Sequence, residues 1–184
     1  TNQVMVESRY EEYAFNALIA LTLSAYSDGD IEAKEKNIFN MFLASAHFDD
    51  ERKEVALEKF KNGAAFHDFT PSITENWLFK RFLLDISALT IFATHAISME
   101  EKNFLKKLCK HLQIPVSELD ETLVMMDNFI LNHNDQITFL QDNNAYEKMY
   151  SNLSRRWIKI LGRNKDKLAA ELKESKELVY LIKK

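Results

Sequence analysis

The sequence predicts an all-α fold: a compact helical bundle with an internal helix–turn–helix duplication and a C-terminal helical arm. Three observations carry that expectation. Only 3 glycines and 2 prolines occur in 184 residues, far fewer than a sheet with many tight turns would need. Apolar residues recur at helical spacing almost throughout. The third observation is a repeat at a shift of about 66 residues. Ile31-Glu32-Ala33-Lys34-Glu35-Lys36-Asn37 lies over Ile97-Ser98-Met99-Glu100-Glu101-Lys102-Asn103, with Leu18 over Leu84 and Leu23 over Leu89 upstream, and Phe42 over Leu108 downstream.

The first helix is expected from about Val4 to Tyr26, with Tyr10, Tyr13, Ala14, Ala17, Leu18, Leu21 and Ala25 on one face, ending in Ser27-Asp28-Gly29-Asp30. A second follows from about Glu32 to His47. Asp49 or Asp50 caps a third, which stops near Asn62-Gly63, because a short polar side chain satisfies amides at a helix start and glycine suits the stop. Ser72-Ile73-Thr74-Glu75 has capping-box spacing and opens an apolar helix through Trp77, Phe82, Leu83 and Phe92, which is expected at the centre. Ser98 and Glu101 repeat the box. Pro115 breaks that helix and Ser117 starts another. Beyond Asn132 the pattern weakens until a last helical pair turns at Gly162. A division into 1–132 and 133–184 follows.

Composition bounds the chemistry. A hydrophobic fraction of 46% supports a core, and 28% charged residues solvate its surface. Up to Ser154 there are 14 basic and 24 acidic residues; from Arg155 onward there are 10 and 4. An acidic body therefore carries a basic arm. The lone Cys109 sits among apolar neighbours at helical spacing, reads as a buried thiol, and suits a reducing compartment. No apolar run reaches the roughly 18 residues of a membrane span.

One constellation carries chemistry. In the turn after the first helix, Asp28, Gly29, Ile31 and Glu35 match the fifth, sixth, eighth and twelfth places of an EF-hand loop. Ser24 and Tyr26 stand where that loop wants acids, so a true EF-hand is rejected. A looser site for Ca2+ or Mg2+ using Asp28, Asp30 and Glu35 remains, beside the plainer reading of turn chemistry and acids at a helix start. The second copy has Thr94, His95 and Ala96 in place of Asp28, Gly29 and Asp30. His47, His67, His95, His111 and His133 lack zinc spacing, and there is no phosphate loop or nucleophile elbow. No catalytic centre is read; an enzyme would need acids that converge only in three dimensions.

In the basic arm, Trp157, Leu161, Leu168, Leu172, Val179 and Ile182 form an apolar seam. Such an arm suits anionic lipid, a partner groove or its own acidic body. Arg155, Arg156, Trp157, Lys159 and Arg163 are its candidate contacts. Nucleic acid is not expected, because the acidic body repels phosphate.

Ala25-Tyr26-Ser27-Asp28-Gly29-Asp30-Ile31 with Glu35, and the stretch Phe104 to Leu112, resemble the TerB-like helical domain of tellurite-resistance proteins over roughly Tyr10 to Asn132. The resemblance implies an acidic surface, divalent-cation binding and a non-enzymatic role with protein partners in membrane-associated stress complexes, in the bacterial cytoplasm at the inner face of the membrane. The missing second acidic turn departs from the family pattern. The stretch from Arg155 to Lys184 resembles the segment preceding a LETM-like part of some bacterial proteins, which implies that the chain is the front of a longer, membrane-linked protein.

Overall fold

The computed structural model describes residues 2–29, 31–45, 49–92 and 97–131. Among them the fold is all-α: six helices, with no strand. They are α1 (Asn2–Ala25), α2 (Ala33–Ser45), α3 (Asp50–Asn62), α4 (Trp77–Phe92), α5 (Met99–Leu112) and α6 (Ser117–Leu131). The basic arm lies outside the described residues.

Helices α1 and α4 form the largest interface, α2 and α3 pack on α1, and α5 and α6 pack on α4. From Tyr13 to Ala25 every residue of α1 is buried except Phe15, which is partly so. The one-faced pattern expected for α1 is thus corrected: it shares the centre with α4. Small residues make this feasible. Ala14, Ala17, Ala20 and Ala25 let neighbours approach on several sides. The hydroxyls of Thr22 and Ser24 donate back to the carbonyls of Leu18 and Ala20, at 2.8 and 2.7 Å, so neither enters the core bare. Helix α4 is buried as expected, from Phe79 through Ala88 and at Thr90 and Ile91. Tyr13 of α1 stacks on Phe79 of α4, ring centroids 4.3 Å apart.

Local signals set most boundaries. The α1 exit is fixed by Gly29 at φ +96°, which a side chain would strain, while the Gly29 N–H donates to Tyr26 O. Asp49 caps α3, its Oδ1 accepting from Arg52 N–H at 2.7 Å, and Gly63 at φ +100° ends it. Ser98 and Glu101 form the complete capping box of α5.

The Ser72–Glu75 box does not form. Residues Pro71–Thr74 make a 3-10 turn, and α4 begins only at Trp77, with Asn76 Oδ1 accepting from Phe79 N–H at 2.8 Å. The Ser72 hydroxyl is held instead by Glu12 of α1, which also accepts from the Thr70 hydroxyl. Asn16 adds bonds to the Thr70 hydroxyl and N–H. Tertiary partners on α1 outcompete a local cap, and the connection between α3 and α4 is pinned there.

The helix starts fall at nearly constant offsets. Helix α2 starts at Ala33 and α5 at Met99, 66 positions on; α3 starts at Asp50 and α6 at Ser117. Contacts follow the same offset. Arg52 of α3 lies over the Phe15 ring of α1 at 5.2 Å. At the corresponding positions, Arg81 of α4 pairs with Glu118 of α6 at 3.0 Å.

Candidate functional site

The acidic turn joins α1 to α2. Asp28 is half-buried on it, and Glu35 lies in the first turn of α2 with 3% of its surface exposed. Asp30 lies outside the described residues. The sequence offers Glu35 as a cation ligand; in the structure its Oε1 accepts the Glu32 N–H at 2.9 Å. Since the Glu32 carbonyl accepts from Lys36 N–H, Glu32 is the N-cap and Glu35 fills the reciprocal place of a capping box. Glu101 accepts the Ser98 N–H at 3.0 Å in the same way. Helix α2 lacks only the Ser hydroxyl.

The electrostatics of Glu35 are unusual. Its pKa is pushed up to about 7, first by burial. The Glu32 N–H favours the charged form, but Asp28, Glu32 and Glu101 each oppose it. Two of these acids, Glu32 and Glu101, were not among the expected site residues. Glu101 was legible as the offset partner of Glu35; that the two interact across the α2 and α5 starts was not. Among the described residues no group of three or more His, Cys, Asp or Glu side chains is arranged to hold a metal ion. The structure thus brings Asp28 and Glu35 into electrostatic contact without a described third donor.

A second polar cluster lies inside α4, α5 and α6. Arg81 is fully buried; it pairs with Glu118, donates to the Thr122 hydroxyl at 2.8 Å, and lies 3.9 Å from Asp85. The Trp77 ring covers it at 5.7 Å. Cys109 is buried beside this cluster, as expected. Burial pushes its thiol up to about 11, against the pull of Arg81, so it stays protonated at neutral pH and is a poor nucleophile. Neither Arg81 nor Asp85 stood out in the sequence, because a charged pair on an apolar helix reads the same whether it faces water or the core.

Of the histidines, His111 is exposed, 5.3 Å from the Phe66 ring and 5.5 Å from the Phe69 ring. His67 is exposed, 3.8 Å from Asp68. His47, His95 and His133 lie outside the described residues, as do the contact candidates Arg155, Arg156, Trp157, Lys159 and Arg163. No described helix is long and apolar enough to cross a membrane.

Comparison with protein-family models, curated proteins and solved structures finds no match. The reading of this site therefore rests on its own geometry: a buried carboxyl, held by one backbone amide and pressed by three acids.

Proposed function

We propose that the chain is a non-enzymatic interaction module of TerB-like type, made of two copies of a three-helix unit, whose acidic turn takes Ca2+ or Mg2+. The observation that carries this reading is the state of Glu35. A buried carboxyl with Asp28, Glu32 and Glu101 around it holds its charge at a penalty, and a divalent cation beside it would relieve that penalty. Asp28 and Glu35 supply oxygen ligands suited to a hard cation, with Asp30 as the third donor. The common offset of α2 with α5 and of the Phe15–Arg52 with the Arg81–Glu118 contact supports the duplicated unit, with α6 starting one position later relative to α3.

The division of charge favours a second contact surface. With 10 basic and 4 acidic residues from Arg155 onward, the arm is suited to anionic lipid at the inner face of a membrane, with Arg155, Arg156, Trp157, Lys159 and Arg163 as contacts. Cosedimentation with anionic vesicles, before and after deletion of residues 155–184, tests that part.

Calorimetric titration tests the cation site. Calcium or magnesium should bind the wild-type chain, and the double substitution Asp28→Ala, Asp30→Ala should abolish the heat. Equal binding by both proteins removes the site.

A further inference from the structure

Beside the acidic turn lies an open groove of about 680 Å³, within the volume range of ligand-binding clefts. Tyr26 and Ile31 line it from the turn, and Leu57 and Phe60 from α3, while Lys36 and Lys61 stand at its rim. The Tyr26 hydroxyl donates to Phe60 O at 2.7 Å, which holds the turn against the end of α3 and keeps the floor in place. Phe60 is anchored from behind by stacking on Phe39 at 4.0 Å.

Four of the lining residues, Ile31, Lys36, Leu57 and Asn62, recur unchanged 66 positions later as Ile97, Lys102, Leu123 and Asn128. Most of the core does not: Phe15, Ile19, Phe39 and Leu43 face Arg81, Asp85, Leu105 and Cys109 at that offset. Core packing accounts for Ile97 and Leu123, which pack against the core, but not for Lys36, Leu57 and Asn62. Leu57 is 43% exposed, and Lys36 and Asn62 are exposed too. Leu57 adjoins Tyr26, Ile31 and Phe60 in one concave apolar patch, and a contiguous patch of this kind is a contact surface.

We propose that this groove docks a segment of a partner protein that presents an apolar side chain beside a carboxylate. The apolar side chain enters between Tyr26, Ile31 and Leu57. The carboxylate meets Lys36 and Lys61, whose ammonium groups form no ion pair with a described residue; Glu58 is the one acid among the lining residues. The charge at the rim therefore selects acidic over basic segments. This inference rests on the duplicated three-helix unit proposed above, but not on the cation.

Selection of short random peptides on the full chain, with chelator present throughout, tests it. Peptides with Leu, Ile, Phe or Met next to Asp or Glu should be enriched. Leu57→Glu, at an exposed position, should weaken the selected peptides by about tenfold or more while circular dichroism stays that of the wild type. Lys36→Glu should shift selection towards basic peptides. Asp28→Ala with Asp30→Ala should leave peptide binding intact even where it abolishes cation binding, which separates the two proposals. No enrichment, enrichment of basic peptides by the wild type, or equal binding by Leu57→Glu overturns the inference. So does self-association lost in Leu57→Glu, which would make a second copy the occupant.

Discussion

Tyr13 and Phe79 stack at 4.3 Å across the α1–α4 interface, and Phe79 follows Tyr13 by the same 66 positions that separate the starts of α2 and α5. A residue that meets its own counterpart marks an isologous contact, in which one surface patch pairs with itself. Glu35 and Glu101 are a second such pair, since each fills the third place of its helix and the charge of one acts on the other. In the proposed duplication, the α1–α4 seam is where the two three-helix units would close on each other.

Truncating that stack should be severe. Tyr13→Ala or Phe79→Ala is expected to destabilise the fold by about 3–5 kcal/mol in urea unfolding, since each leaves a cavity and a ring without its neighbour. The double substitution should fall short of the sum of the two, because the rings touch. Additive effects would mean that the rings do not stabilise each other.

Glu35 gives the stability a dependence on pH with a definite sign. Its folded pKa of about 7 lies above the ordinary 4.5, so between those values the folded state binds more protons than the unfolded one. Its contribution is most favourable below about pH 4.5 and falls as pH rises to about 7. Relative to Glu35→Gln, the wild type should lose about 3 kcal/mol across that window. Denaturant midpoints of both proteins at several pH values measure this; a constant difference between them would contradict it.

The cap of α2 should be open to improvement. Helix α5 has both halves of its capping box, whereas α2 has only the Glu35 half. Glu32→Ser supplies the missing hydroxyl and removes one acid from beside Glu35. It should stabilise the protein by about 1 kcal/mol, and Ser98→Ala should destabilise it by a similar amount. Thermal unfolding reads both, and a loss of stability in Glu32→Ser would show that the α2 start does not take the α5 geometry.

Arg81 should be intolerant of neutral replacement. Arg81→Leu leaves Asp85 buried without its cation and Glu118 without its 3.0 Å partner. About 3–5 kcal/mol of stability should be lost, as for other buried pairs that lose one member. Adding Asp85→Leu to Arg81→Leu should restore much of it. No recovery would mean that Thr122 and Glu118, rather than Asp85, carry the loss.

Much of this fold could be read from the chain because its signals are local. Ser98 and Glu101, Asp49, Gly63 and Pro115 act within one helical turn, and each sets the boundary expected of it. Ser72 and Glu75 had the same spacing and failed, since Glu12 and Asn16 lie near in space and far in sequence. The centrality of α1 was hidden because alanines read as one face of an amphipathic helix until a second helix packs on the other side. At the turn, sequence spacing offered Glu35 either as a cation ligand or as an acid at a helix start, and the structure places it in the first turn of α2. Its bond to the Glu32 amide is local to the α2 start, but its electrostatic contact with Glu101 depends on how α2 and α5 are juxtaposed.

The central claim is that the turn holds a strained carboxyl which a divalent cation relieves. Carbon-13 NMR of the Glu35 carboxyl, titrated with pH in the absence and presence of saturating calcium or magnesium, addresses it directly. The account predicts a midpoint near 7 in the free protein and a clear downward shift when the cation binds. A midpoint near 4.5 that is indifferent to both cations would contradict it.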